Sequence, residues 1–210
     1  MDFDLNDEQR QIYEYGDQLA QKFSHEKWLE YARKNEFPQE LFEMIAEAGF
    51  LGIMVPEEYG GAGLGMLEMA LFMEGMANNG IPLLMMVVGP CMSLSHLASY
   101  GTEFHKTELL PAACRGEMQF CFAITEPGAG SNSMKVNTVA KAKGNRFSLS
   151  GEKTFITGAD VSDYCLVVAR TTPHDQVEKK TDGFTLFAVD LKAKGVDMQK
   201  VKIGMPLPEK

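Results

Sequence analysis

The residues with the clearest potential for chemistry lie in a run that changes character abruptly, Cys121–Ser131 (CFAITEPGAGS). A strand-like segment reaches a proline and two glycines, and a serine hydroxyl follows. Pro127 fixes φ and removes one amide donor, while Gly128 and Gly130 permit turns that other residues resist and let a ligand approach the main chain. Successive exposed N–H groups in such a turn form an anion-binding nest, to which Ser131 adds a hydroxyl donor. The run therefore predicts a phosphate or pyrophosphate site.

Two familiar phosphate motifs are excluded for this run. No Gly-Lys-Ser/Thr follows the turn, so it is not a Walker A loop, and the third glycine and the strand-turn-helix context of the dinucleotide fingerprint are missing. An ordinary surface turn would use the same residues. The local pattern alone does not separate a phosphate site from such a turn.

A second segment, Gly151–Ala159 (GEKTFITGA), carries an aromatic ring and a hydroxyl two residues apart. On a strand, Phe155 and Thr157 would face the same way. A flat polar ring could then pack on Phe155 while Thr157 bonds to a ring heteroatom. Taken alone, the segment favours the simpler interpretation, in which Phe155 is a core residue and Thr157 is incidental.

The first half of the chain is predicted to be helical. Asn6 followed by Gln9 is typical of a capping box, and apolar residues then recur at helical spacing. A further helix is predicted from Pro38 to Gly49, and residues 50–56 (FLGIMVP) are predicted to be extended. The glycine-rich run after them is predicted to be a loop. Helical patterns return over the ranges 64–78, 82–99 and 102–110.

The second half of the chain is predicted to be β-structure. Strands are expected over the ranges 118–125, 138–143, 146–150, 163–170 and 183–190. Gly144-Asn145 indicates a two-residue hairpin, and a last strand that enters a turn is predicted at 200–210. Helices followed by strands predict two domains. These are an all-α N-terminal domain at residues 1–116 and a small β-barrel-like domain at 117–210, whose end would leave sheet edges unpaired.

Composition and charge limit the classes of function. The net charge is −9 and no run of Lys and Arg stands out, so we expect neither nucleic acid nor an anionic membrane as a partner. The most apolar segment is too short to span a bilayer, and the acidic N-terminus is unlike a targeting signal. The four cysteines show no zinc-like spacing with the four histidines. We therefore predict free thiols, a cytoplasmic location and no metal site.

Together, the two segments resemble those of the acyl-CoA dehydrogenase family. FAITEPGAGS at 122–131 is followed by GEKTFIT at 151–157, and both the opening LNDEQRQ and GFLGIMVPEEYGGAGLG at 49–65 agree with the family in order and spacing. The similarity covers nearly the whole chain. It implies a helical N-terminal domain, a middle β-barrel-like domain, and FAD bound at the barrel between domains.

The resemblance also implies roles for individual residues. Seven residues would line the flavin ring: Phe122, Ala123, Ile124, Thr125, Phe155, Ile156 and Thr157. Thr125 is implied as a hydrogen-bond partner of the ring, and Thr157 as the partner of flavin N5. Gly130 and Ser131 would meet the FAD pyrophosphate, and Ser131 would also adjoin the acyl-CoA substrate.

Two residues depart from the common family pattern. Phe155 stands where many members have Trp, which keeps an aromatic face without the indole donor, and Asn132 stands where Asp is common. In the family a third, helical domain follows and carries the Glu that removes the α-proton. The catalytic base is therefore expected beyond Lys210, and no catalytic residue is assigned within this chain.

The implied reaction is α,β-dehydrogenation of an acyl-CoA thioester to a 2-enoyl-CoA in fatty acid metabolism, with electrons passed to an electron-transfer flavoprotein. A homo-oligomer, dimer or tetramer, is implied for the complete protein. Two alternatives stay open. One is an acyl-CoA oxidase or a flavin monooxygenase-like relative, and the other is a truncated, non-catalytic binding module. Acyl chain length and branching are not predicted, because the far wall of the pocket lies largely outside this sequence.

Overall fold

The structure is a computed structural model that describes residues 4–201 and Pro208. The described residues form two compact units, a helical unit of residues 4–120 with Pro208 and a β unit of residues 121–201. The predicted order, a helical domain followed by a β domain, is confirmed. The predicted boundary after residue 116 stays a prediction. The strand predicted at 200–210 lies almost wholly outside the described residues.

The helical unit begins with the predicted capping box. Gln9 N–H donates to the Asn6 side chain at 2.8 Å, and Asn6 N–H donates to the Gln9 side-chain oxygen at 3.3 Å. The α-helices of the unit are α1 (Asp7–Phe23), α2 (His25–Lys34), α3 (Gln39–Glu47), α4 (Met66–Asn78), α5 (Leu84–Met86), α6 (Ser95–Tyr100) and α7 (Leu110–Cys114). None of the described helices is long and apolar enough to cross a membrane.

The core of the helical unit forms where α1 crosses α4. A Cβ added at Gly16 would lie 2.4 Å from the Phe72 carbonyl oxygen, and one added at Gly75 would lie 2.3 Å from the Tyr13 carbonyl oxygen. Glycine is therefore what lets the two helices approach so closely. The buried apolar side chains of this core include Leu19, Phe23, Trp28, Leu41, Ile45, Phe72 and Met76.

The prediction that residues 50–56 are extended is wrong. The segment begins with a short 3₁₀ helix at Phe50–Gly52 and continues through turns. The glycine-rich loop folds back onto it, because Leu64 N–H donates to the Ile53 carbonyl oxygen at 2.9 Å. Apolar side chains are buried at alternating positions of this compact turn. The same alternation is typical of a β-strand, which is why the segment was predicted to be extended. The alternating buried residues are Leu51, Ile53 and Val55.

The helix predicted over 82–99 is observed as a helical run at 84–100, but its middle, Val87–Leu94, is π-helical. Pro90 lies within these turns, and its missing N–H removes one regular helical hydrogen bond. The last predicted helix continues through a second π-helical turn, His105–Leu109, into α7.

The β unit is one mixed sheet. Its strands are β1 (Phe120–Ala123), β2 (Val139–Lys143), β3 (Arg146–Ser150), β4 (Tyr164–Arg170) and β5 (Phe184–Asp190). The strand order is β1-β4-β2-β3, and β5 also pairs with β4. β2 and β3 form the predicted hairpin over Gly144-Asn145, with Lys143 opposite Arg146. β4 and β5 are antiparallel along their whole length.

The sheet curls but stays open. The rings of Phe147 on β3 and Phe187 on β5 lie 5.1 Å apart, so two strands that are not neighbours in the sheet approach each other. Within the described residues, however, these strands are not paired, and the sheet does not close into a barrel. The predicted barrel-like shape therefore holds only in this loose sense.

Candidate functional site

The turn predicted to bind phosphate is present and lies within the β unit. Glu126 N–H donates to the Ala129 carbonyl oxygen at 3.1 Å, and Ala129 N–H donates to the Glu126 carbonyl oxygen at 3.0 Å. These two bonds close a tight turn over Pro127 and Gly128. Gly130, Ser131 and Asn132, which follow the turn, are exposed.

The two glycines of this turn are not required by backbone conformation, contrary to expectation. Neither Gly128 nor Gly130 has φ in the left-handed region. A Cβ built on either residue meets no atom within 4 Å. The chain itself would therefore tolerate a side chain at both positions. What the glycines preserve is open space beside the main chain, which a phosphate-bearing ligand needs.

The segment 151–157 is not a strand, so the condition under which Phe155 and Thr157 would face the same way is not met. Strand β3 ends at Ser150, and Phe155 has a φ of 57°, in the left-handed region that bulky residues rarely adopt. The Phe155 side chain is 71% exposed, so it is not a core residue either. Instead, Ile156 packs against a buried cluster of the β unit. The cluster consists of Cys121, Ala123 and Cys165.

Three hydrogen bonds join the two predicted segments. Thr154 N–H donates to the Thr125 carbonyl oxygen at 2.9 Å. The Lys153 ammonium donates to the Ile124 carbonyl oxygen at 3.0 Å and to Glu126 Oε1 at 2.9 Å. These bonds hold residues 153–154 against the residues that follow β1. Residues 153–154 do not form the regular hydrogen-bond ladder of a β-strand.

The Glu126 carboxylate is buried and accepts four hydrogen bonds. Besides Lys153, its donors are Asn137 N–H at 2.6 Å, Thr138 N–H at 2.9 Å and the Thr138 hydroxyl at 2.5 Å. Burial raises the pKa of Glu126, but these hydrogen bonds outweigh burial and lower its pKa to about 2. Burial also lowers the pKa of Lys153, and the bond to Glu126 offsets this only in part. Glu126 is therefore ionised at neutral pH.

Arg170, at the end of β4, holds the loop that follows the turn. Its side chain is buried, and Nε and Nη2 donate to the carbonyl oxygens of Val136 and Met134 at 3.1 and 2.8 Å. The guanidinium carbon lies 4.0 Å from the centre of the Phe184 ring. Because both acceptors lie between Ser131 and β2, Arg170 fixes the path of the chain as it leaves the candidate phosphate turn.

Arg170→Met is expected to destabilise the β unit by about 2 kcal/mol or more, because carbonyl oxygens in buried surroundings lose a charged donor. Denaturant unfolding of the full-length protein, followed by circular dichroism, measures the change. Arg146→Met alters an exposed residue on β3 and serves as the control, for which we expect little change. Wild-type stability in Arg170→Met would show that this arginine does not hold the loop.

All nine residues predicted to bind the cofactor lie in the β unit, within the two segments that are joined by the three hydrogen bonds. Among residues 4–201, the hydroxyls of Thr125, Ser131 and Thr157 have no hydrogen-bond partner, so all three are available to a ligand. The described contacts do not join Gly130 or Ser131 to residues 155–157. Their convergence on one ligand stays a prediction.

Three charged residues of the site were not identified from the sequence: Glu126 and Arg170, which are buried, and Lys153, which is partly buried. Glu126 and Lys153 lie inside the two motifs. A charged residue among glycines, proline and hydroxyl residues was the signal that could have identified them. Arg170 ends an apolar strand, and a charged residue in that place needs a partner. The sequence does not show which carbonyl oxygens accept the hydrogen bonds of Arg170.

The order of the two units agrees with the sequence families that the chain matches. Residues 6–117 match the family described as acyl-CoA dehydrogenase, N-terminal domain, and residues 121–208 match acyl-CoA dehydrogenase, middle domain. The chain belongs to the acyl-CoA dehydrogenase family. The resemblance drawn from the two motifs is thus confirmed.

Named relatives in this family extend the comparison. Acyl-CoA dehydrogenase FadE12 of Mycobacterium tuberculosis is 40% identical over 190 residues, which is 90% of this chain and 48% of that protein. The caffeyl-CoA reductase-Etf complex subunit CarC of Acetobacterium woodii is 35% identical over 85% of this chain and 46% of its own length. The solved FAD complex of PigA matches with a TM-score of 0.83 and 26% identity, over 93% of this chain and 51% of that chain. The chain spans about half the length of the curated relatives that it matches.

Proposed function

We propose that this chain forms the helical and middle domains of an FAD-dependent acyl-CoA dehydrogenase that converts an acyl-CoA thioester to the 2-enoyl-CoA. The observation that carries the proposal is the joining of residues 122–126 to residues 153–157. Within residues 4–201, this arrangement presents an exposed aromatic ring and hydroxyls that have no hydrogen-bond partner. Membership of the family supports the reaction class, and the likeness to the FAD complex of PigA supports the cofactor.

The residues of the β unit fit a flavin with a diphosphate. Open main chain beside Gly130 and the exposed hydroxyl of Ser131 suit phosphate oxygens. Thr125 and Thr157 offer hydroxyls to ring heteroatoms, and Phe155 offers an exposed aromatic face to a flat ring. When bound, FAD would supply the hydride acceptor for the β-hydrogen of the substrate.

In the proposed reaction, the residues of this chain hold the cofactor in position. Phe155 stays exposed because its backbone is in the left-handed region while its neighbour Ile156 is held in the buried cluster. Such a backbone outlier is frequent at functional sites. A ligand packed on Phe155 would exclude water from that side of the site. We propose that Ser131 also adjoins the acyl-CoA, and that the base which takes the α-proton is a Glu beyond Lys210.

An electron-transfer flavoprotein is the proposed electron acceptor. The name of CarC, a relative at 35% identity, places that protein in a complex with Etf. We also propose that the complete protein is a cytoplasmic homo-oligomer. The family resemblance supports both features.

Anaerobic titration of the full-length protein with a panel of acyl-CoA thioesters tests the proposed reaction. We expect at least one thioester to bleach the flavin absorbance, and an electron-transfer flavoprotein to restore it. Restoration by oxygen alone, with formation of hydrogen peroxide, would favour the oxidase alternative. Absence of bleaching with every thioester would contradict a dehydrogenase.

Ser131→Ala and Thr157→Ala are each expected to weaken FAD retention or slow flavin reduction about 5- to 10-fold, since each removes one hydrogen bond worth about 1 kcal/mol. FAD content after gel filtration and stopped-flow reduction by substrate measure the two effects. Ser150→Ala, at an exposed position at the end of β3, is the matched control. Unchanged FAD content and reduction rates in both variants would count against the assigned site.

A further inference from the structure

We propose that Lys153 is a positioning residue that fixes the two flavin segments relative to each other. This inference rests on the proposed function. The Lys153 side chain is only 11% exposed, and its ammonium bonds both to the Ile124 carbonyl oxygen and to the Glu126 carboxylate. Ile124 adjoins Thr125, and Lys153 precedes Phe155 by two residues. One cation thus joins the main chain of the first segment to the second segment.

The other end of this ion pair extends the connection to the phosphate turn and the sheet. The Glu126 carboxylate accepts hydrogen bonds from Asn137 and Thr138, at the entrance to β2. The main chain of Glu126 closes the turn that leads to Gly130. The pair therefore joins the first segment, the second segment and the start of β2, next to the turn that leads to Gly130.

Folding stability alone gives a weak reason for a buried ion pair. Both charges lose hydration, and apolar residues of similar volume in the same place often leave a protein equally stable. An apolar pair lacks direction, however, because only a donor can hold the Ile124 carbonyl oxygen at a set position and angle. By contrast, Lys192 pairs with Asp163 at 2.8 Å in the same unit, but its side chain is 77% exposed.

The expected consequence of losing the ammonium is a change at the flavin. Without it, the Thr154–Thr125 backbone bond still joins the two segments, but the Ile124 carbonyl oxygen loses its charged donor. The hydroxyls of Thr125 and Thr157 would then be held less precisely in position relative to the flavin ring. Small displacements of this kind are sufficient to slow a reaction greatly.

The test compares Lys153→Met with Lys153→Arg in the full-length protein. Met keeps the length of the side chain but has no donor, whereas Arg keeps a charged donor. For Lys153→Met we expect FAD affinity or the rate of flavin reduction to fall at least about tenfold. We also expect an altered visible absorption and circular dichroism of the flavin. Lys153→Arg is expected to recover most of the FAD affinity or reduction rate and most of the flavin spectrum. Lys192→Met makes the same substitution at an exposed lysine and is expected to match wild type.

Folded Lys153→Met protein with wild-type FAD affinity, flavin spectrum and reduction rate would overturn the inference. Folded Lys153→Arg protein that recovers nothing would also overturn it, since the donor is the feature restored. If Lys153→Met does not fold, Lys153→Gln replaces it in the same comparison, because the Gln side chain is neutral and too short to reach both acceptors. A wild-type protein that binds no FAD would instead refute the proposed function.

Discussion

Gly130→Leu is expected to abolish FAD binding while the β unit keeps its stability. Gly130 has φ outside the left-handed region, and a Cβ built on it meets no atom of the chain within 4 Å, so leucine fits the folded protein. The same side chain would occupy the space that we assign to the FAD pyrophosphate. We expect FAD affinity to fall by about 100-fold or more, equivalent to ~2.7 kcal/mol, with a change in unfolding free energy below about 1 kcal/mol.

Fluorescence titration of the full-length apoprotein with FAD, together with denaturant unfolding, measures both quantities. Lys135→Leu introduces the same side chain at another exposed position of the same loop and controls for a general effect of leucine. FAD affinity close to that of wild type in a folded Gly130→Leu variant would show that the space beside this glycine is not occupied by the cofactor.

Glu126→Gln is expected to remove much of the acid sensitivity of the β unit along with part of its stability. The pKa of Glu126 in the folded protein is about 2, below its ordinary value of 4.5. A depressed carboxyl pKa contributes stability that is fully present above about pH 4.5 and is lost as the pH falls towards 2. This contribution amounts to about 3 kcal/mol at neutral pH.

Denaturant unfolding at a series of pH values from 7 to 3 measures this contribution. We expect wild type to lose stability more steeply below pH 4.5 than Glu126→Gln, and the variant to be less stable at pH 7. Glu152→Gln, at an exposed position next to Lys153, is expected to follow wild type. Parallel pH profiles for wild type and Glu126→Gln would contradict the assignment of a charged, hydrogen-bonded carboxylate to Glu126.

Much of the fold could be predicted from local sequence patterns, because those patterns have local physical causes. The capping box at Asn6 and the Gly144-Asn145 hairpin each depend on residues a few positions apart. Residues 50–56 were mispredicted, and the irregular path of residues 151–157 could not be predicted, because distant partners determine the backbone of both segments. The Ile53 carbonyl oxygen is bonded by Leu64, and the Thr125 carbonyl oxygen by Thr154.

The same distinction separates the predictable from the unpredictable parts of the candidate site. The Ser131 hydroxyl could be named from its chemistry, whereas Phe155 could be assigned to the site only through the family resemblance. The buried charges that position them could not be identified, because Glu126 meets Lys153 across 27 residues and Arg170 meets Met134 across 36. Periodicity carries no information about such pairs. They become evident only once the sheet brings the segments together.

The most direct test of the central claim is the visible absorption spectrum of the purified, full-length wild-type protein, before and after the addition of FAD. The claim is that residues 122–131 and 151–157 of the β unit together bind a flavin. It predicts flavin absorption bands in the purified protein, or tight uptake of added FAD by the apoprotein. A folded protein that is colourless and does not take up added FAD would contradict it.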